Sequence, residues 1–152
     1  GIASEAPGEV DIYVMSPDGE IPDDGYLRRL ETYMMRGTIR PLTDNVVVKK
    51  PEVVPYDIVF GYHVSEEDED IEETIKKKVQ NVCDYYEKAQ RKIGKDIDPS
   101  EIIGLLYGAG AAKITLTSPQ YTEVAKSQIA ILNKMEIEYK GIKGRAIGGG
   151  GT

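Results

Sequence analysis

One histidine and one cysteine, His63 and Cys83, occur in the 152 residues, and they narrow the ordinary routes to nucleophilic catalysis to two side chains. A Ser-His-Asp arrangement would have to use His63, and thiolate chemistry would have to use Cys83. No internal disulfide and no multi-Cys or multi-His zinc set can be assembled from single copies. Cys83 falls beside the apolar stripe of a long predicted helix, where cysteine behaves as a small hydrophobe. His63 alternates with Tyr62 on a predicted strand and has no carboxylate partner nearby in sequence, so it reads as a packed or exposed strand histidine. With 26 acidic residues, any catalytic carboxylate pair would lack specificity at the sequence level. No catalytic, cofactor-binding or metal-ligating residue is assigned, and no cofactor is expected.

The acidic run Glu66-Glu67-Asp68-Glu69-Asp70 lacks the glycine and the alternating oxygen ligands of a calcium loop. It reads instead as a solvated helix N-terminus, where carboxylates face the positive end of the helix dipole. Gly108-Ala109-Gly110 follows a helix and precedes a strand, the reverse of a nucleotide-binding order, and fits a helix C-cap. Gly141-Ile142-Lys143-Gly144 has the spacing of an RNA-binding loop but no basic groove to support it. The aromatic usage is unusual: ten tyrosines, one phenylalanine and no tryptophan. Tyrosine combines apolar area with a polar tip, which suits either subunit interfaces or a wet core margin. Tyr26, Tyr33, Tyr85, Tyr86 and Tyr107 are the candidate interface residues.

The net charge of −7 and a pI near 4.8 oppose phosphate binding, so nucleic acid is not an expected partner. No apolar run approaches bilayer length, and Gly1 to Val10 lacks the basic flank and apolar core of a signal peptide. With 40% hydrophobic and 30% charged residues, the composition predicts a folded, soluble chain without membrane insertion.

Several elements must position these residues. Val10, Ile12 and Val14 alternate along a strand that ends at the Ser16-Pro17-Asp18-Gly19 turn. Tyr26, Leu27, Leu30, Tyr33 and Met34 have helical spacing between Pro22 and Arg36, with Gly37 as the stop. The prolines at 51 and 55 interrupt a β-branched stretch and predict strand ends, an edge or a crossover. Ile58, Phe60, Tyr62 and Val64 form the next strand. A long helix begins at Ser65 and carries Ile71, Ile75, Val79, Val82 and Tyr86 as one stripe. A further helix starts at Asp98-Pro99-Ser100-Glu101, with Asp98 as cap, Pro99 in the first turn and Ile97 set to staple onto Ile102. Residues 112–117 form a strand with Ile114 and Leu116 inward. Two more strands, 128–131 and 136–139, are expected on either side of a turn at Asn133-Lys134.

The fold class is therefore α+β, with two small sheet-and-helix modules in tandem in the order β-α-β and then β-α-α-β-β-β. The expected organisation is an N-terminal module over 1–50, a module with the long helix over 51–143, and a flexible glycine-rich tail over 144–152. A small-molecule-binding regulatory domain on a split β-α-β plan is compatible with this order.

One series of segments carries more information. Gly8-Glu9-Val10-Asp11-Ile12-Tyr13-Val14, Ile21-Pro22, and Arg40-Pro41-Leu42-Thr43-Asp44 followed by Val46 and Val48 appear in that order. They are followed by Pro51-Glu52-Val53-Val54-Pro55-Tyr56-Asp57-Ile58, Asp98-Pro99-Ser100-Glu101-Ile102-Ile103 and Thr117-Ser118-Pro119. Over residues 8–140 the series resembles the C-terminal half of the baseplate J-like family, wedge components of contractile phage tails and phage-tail-like particles. The Arg-Pro-Leu-Thr-Asp segment with its Pro-x-Val-Val-Pro continuation is the strongest part of the match. The resemblance implies a non-enzymatic scaffold that assembles with copies of itself and with other wedge proteins around the tail hub, as an oligomer or ring. It also implies location in a virion or tail-like particle assembled in the bacterial host cytoplasm. The family's N-terminal half has no counterpart in these residues, so the chain reads as a fragment.

Overall fold

The computed structural model describes the backbone of residues 2–6, 9–36 and 45–145, with side chains for 9–36 and 46–145. The expected helix stop at Gly37, the Arg40-Pro41-Leu42-Thr43-Asp44 segment and the glycine-rich residues beyond Arg145 lie outside the described residues. The fold is α+β, with two three-stranded sheets and three α-helices among the described residues. It divides into two units, one formed by Gly1–Val54, Arg91–Lys95 and Val124–Ala130, the other by Pro55–Gln90, Asp96–Glu123 and Ile131–Thr152.

In the first unit, β1 (Ile2–Ala6) pairs antiparallel with β2 (Glu9–Tyr13), and β2 pairs in parallel with β3 (Asn45–Lys49). The sequence reading contains no β1, because Ile-Ala-Ser-Glu-Ala shows little apolar alternation; backbone pairing to β2 defines the strand. The parallel step from β2 to β3 needs a crossover, supplied by α1 (Asp24–Met35). Asp23 caps this helix by accepting from the Tyr26 backbone N–H at 2.7 Å, so Pro22 stands before the cap and outside the helix. Leu27 packs with Val46 and Val48, and Ile12, Val14, Leu30 and Met34 close the cluster. Glu31 of α1 accepts from the Val48 backbone N–H at 2.9 Å, satisfying a donor on the outer strand of the sheet. Asp11 is fully buried, and Lys49 donates to its Oδ2 at 2.8 Å.

In the second sheet, β4 (Glu52–Val64) is the central strand, between β5 (Ala111–Ser118) and β6 (Gln128–Ile142). β5 runs antiparallel to β4. Asn133 bonds Asp57, and the Lys143 N–H bonds the Val64 carbonyl, so β6 runs the same way as β4. Pro55 lies inside β4 rather than ending it. The register with β5 begins only at Val59↔Ser118, so β4 has a single neighbour at the proline and loses no ladder bond on that side. The expected turn at Asn133-Lys134 is absent, and β6 is continuous. Ile129, Ile131, Met135, Ile137 and Tyr139 keep one odd-numbered phase through Asn133, so the period-2 pattern never requires a break.

The run Glu66–Ile71 forms a 3-10 helix ahead of α2 (Glu72–Gln90), and Ser65 makes no side-chain cap bond. Instead the Asp68 N–H closes a tight turn onto the Ser65 carbonyl, and Asp68 (φ −105°, ψ 15°) kinks the chain. This turns Ile71, expected in the stripe, out to 45% exposure. The buried face of α2 is Ile75, Val79, Cys83, Tyr86 and Gln90, with Cys83 in the place expected for Val82. α3 (Pro99–Gly108) begins as its sequence predicts: the Asp98 carboxylate accepts from Ser100 N–H at 3.0 Å, and Ile97 and Ile102 are both buried. At its end Gly110 has φ +105°, and a Cβ there would lie 2.9 Å from Ile75 Cγ1. Gly144 and Arg145, assigned to the tail by sequence, are tied back. The Arg145 N–H bonds Ile142 O, and its guanidinium makes two bonds to Glu69 at 2.7 and 2.8 Å.

Candidate interaction surfaces

Neither Cys83 nor His63, the obvious nucleophile and base candidates, is freely exposed. Cys83 is fully buried, and burial with Asp84 beside it pushes the thiol pKa up to about 12, leaving almost no thiolate at neutral pH. His63 is half-buried opposite Ala112, with Nδ1 buried and making no hydrogen bond. Among the described residues, no three His, Cys, Asp or Glu side chains cluster as metal ligands would. No helix among them is long and apolar enough to cross a membrane.

A denser polar cluster joins α2 to the sheet of the second unit. Tyr139 donates a hydrogen bond from its hydroxyl to Glu72, its ring lies 5.2 Å from that of Tyr62, and Lys76 Nζ sits 4.8 Å above it. Burial, followed by the charges of Cys83, Glu73 and Glu72, raises the Tyr62 pKa to about 12. Burial and the Glu72 bond raise that of Tyr139 further. Both phenols stay neutral at neutral pH, and the cluster ties helix to sheet.

The five candidate tyrosines separate. Tyr33, Tyr85 and Tyr107 project into solvent at 60%, 60% and 53% exposure. Tyr26 is half-buried in the first turn of α1. Tyr86 cannot serve an interface: it is fully buried and packs edge-on to Tyr56 with ring centroids 6.2 Å apart. The stripe period that placed it on α2 also turned it inward. Tyr26 and Tyr33 belong to the first unit and Tyr85, Tyr86 and Tyr107 to the second, so they do not form one patch within a unit. Tyr121 is also exposed and was missed, since it lies in the Pro119-Gln120-Tyr121 connection where no periodicity marks it.

Open surface depressions among the described residues include two that bear on contact. One, of about 370 Å³, runs along α1 and is lined by Arg28, Arg29, Thr32, Tyr33 and Arg36. The spacing of these residues places them along the outer side of the helix, away from Leu27 and its core partners. The other, of about 190 Å³, lies on the second sheet, where Gly61 leaves room for the Lys140 side chain beside Thr115, Thr117, Glu136 and Glu138. A Cβ at Gly61 would come within 2.5 Å of Lys140 Cε, so the absent side chain is what admits the lysine.

This architecture has a structural counterpart. A chain of the anti-feeding prophage baseplate, solved by cryo-EM with six-fold symmetry imposed, superposes with a TM-score of 0.52 over 82% of this chain, at 13% identity. The fold is shared. The matched region is 29% of the baseplate chain's length. No protein-family model and no curated protein matches the sequence.

Proposed function

We propose that this chain is a structural component of a contractile-tail baseplate, a wedge piece of the baseplate J-like kind that works by protein–protein assembly around the tail hub and not by catalysis. The observation that carries the reading is the fold shared with the anti-feeding prophage baseplate chain over most of the residues. The ordered sequence segments that resemble the C-terminal half of the baseplate J-like family support it independently. So do the exposed tyrosines on three elements, which fit a surface built for contact. Its partners in this reading are copies of itself and other wedge proteins, its setting is the tail-like particle, and it binds no nucleic acid.

The test is electron microscopy of intact particles carrying a labelled copy of the protein, combined with mass spectrometry of the purified particles. Label at the baseplate end, in a defined number of copies per particle, is expected. Complete particles that exclude the protein would overturn the proposal.

A further inference from the structure

The outer face of α1 does not fit the rest of the molecule electrostatically. The chain carries a net charge of −7, yet Arg28, Arg29 and Arg36 lie along one open groove with Tyr33 and Thr32. Among the described residues none of the three guanidiniums has a hydrogen-bond or ion-pair partner, whereas Arg91 and Arg145 are both engaged. Arginine is the cation best suited to protein interfaces, because its planar fork grips carboxylates in two places and its stem and π-face pack on aromatic rings. Tyr33, 60% exposed in the same groove, supplies such a ring. A groove of about 370 Å³ lined this way is shaped for a short, carboxylate-rich stretch of protein.

The chain itself presents such a stretch. Glu66-Glu67-Asp68-Glu69-Asp70 lies in the kinked 3-10 helix Glu66–Ile71, and Glu66, Glu67, Glu69 and Asp70 in it are exposed. Among the described residues, Glu69 alone in the run is bound in an ion pair, to Arg145. We infer that the Arg28–Arg29–Arg36 face of one copy receives the Glu66–Asp70 turn of a second copy, giving a head-to-tail contact between different surfaces. Such a contact leaves a free donor face and a free acceptor face on every pair, so it propagates until it closes into a ring or is capped. This inference rests on the assembly reading and names the contact that would carry it. Since the surfaces are exposed and oppositely charged, the association is steered electrostatically and weakened by salt.

The full chain is studied by sedimentation velocity across a range of concentrations at low and high ionic strength. Association that grows with concentration at low salt and disappears near ~0.5 M salt is expected. The variants R28E/R36E and E67R/D70R should each associate at least tenfold more weakly. An equimolar mixture of the two should recover association, because the reversed face of one then meets the reversed turn of the other while the second contact keeps its native charges. A wild-type chain that stays monomeric at every salt and concentration overturns the inference, as do reversals without effect or a mixture that does not recover. Far-UV circular dichroism and melting curves check the fold of each variant. Arg36→Ala, which truncates without reversing charge, replaces R28E/R36E should the double reversal unfold, and is then expected to weaken association on its own. Labelled particles that contain the protein while the purified chain and its variants show no self-contact would sink this contact and leave the baseplate reading standing. Strong self-contact with particles that exclude the protein would do the opposite.

Discussion

Two tyrosine-to-phenylalanine substitutions in the second unit should change stability in opposite directions. Tyr86 is fully buried, and its hydroxyl makes no hydrogen bond. Folding strips water from that oxygen and returns nothing, an uncompensated cost of about 1–3 kcal/mol. Tyr86→Phe removes the cost and leaves a one-atom void, worth only a few tenths of a kcal/mol at ~24 cal/mol per Å³. The edge-on ring contact with Tyr56 is kept. The net expectation is a gain of about 1 kcal/mol. Tyr139→Phe does the reverse. Its hydroxyl donates to the Glu72 carboxylate, and a hydrogen bond to a charged group contributes about 1.5–3 kcal/mol when buried. Because Tyr139 is only partly buried, a loss of about 1 kcal/mol is expected. Urea unfolding followed by circular dichroism reads both, and with a slope of about 1–3 kcal/mol per M the midpoints should separate by roughly 1 M. The reasoning fails if Tyr86→Phe lowers the midpoint, since that would mean the hydroxyl has a partner in the folded protein.

Asp11→Ala should destabilise the first unit by about 1–2 kcal/mol, because it removes the buried acceptor of the charge-assisted hydrogen bond from Lys49; thermal melting measures the loss. Gly110→Ala should cost about 2–4 kcal/mol, combining a side chain at φ +105° with a contact 2.9 Å from Ile75 Cγ1, and in a double-mutant cycle Ile75→Ala should recover part of it. Cys83 should resist a thiol reagent at pH 8 until urea unfolds the chain; rapid labelling of the folded protein would contradict its burial. Tyr62, Tyr86 and Cys83 all have folded pKa values raised to about 12 by burial, above their ordinary values of 10.0, 10.0 and 9.0. The folded state therefore holds these protons more tightly than the unfolded chain. Their contribution should be intact below about pH 9 and fall as pH rises through 9–12, visible as a urea midpoint that drops in that window.

Local signals gave the α+β class, α1, α3 with its Asp98 and Pro99 start, and the even-numbered buried face of β4, because each is set by spacing or capping chemistry within a few residues. What failed depended on partners distant in sequence. β1 exists through its pairing with β2. Pro55 is tolerated where β4 has one neighbour, and β6 runs through Asn133 alongside β4. The helix expected at Ser65 starts late, because its serine makes no cap bond and the acidic turn tightens.

The tyrosines show the same division. Helical spacing placed Tyr85 and Tyr86 one residue apart on α2, and a rotation of about 100° per residue means only one can face the core. The stripe through Ile75 and Val79 already carries Tyr86 inward, and packing against Tyr56 completes its burial while Tyr85 stays in solvent. Likewise Arg28, Arg29 and Arg36 are scattered letters in an acidic sequence, and α1 aligns them only because Leu27, Leu30 and Met34 hold its other face against β2 and β3. The sequence by itself determined an acidic chain of α+β class, because composition and local spacing set both. The tertiary structure decided which side chains remain available for contact, since exposure is the remainder after the core has formed.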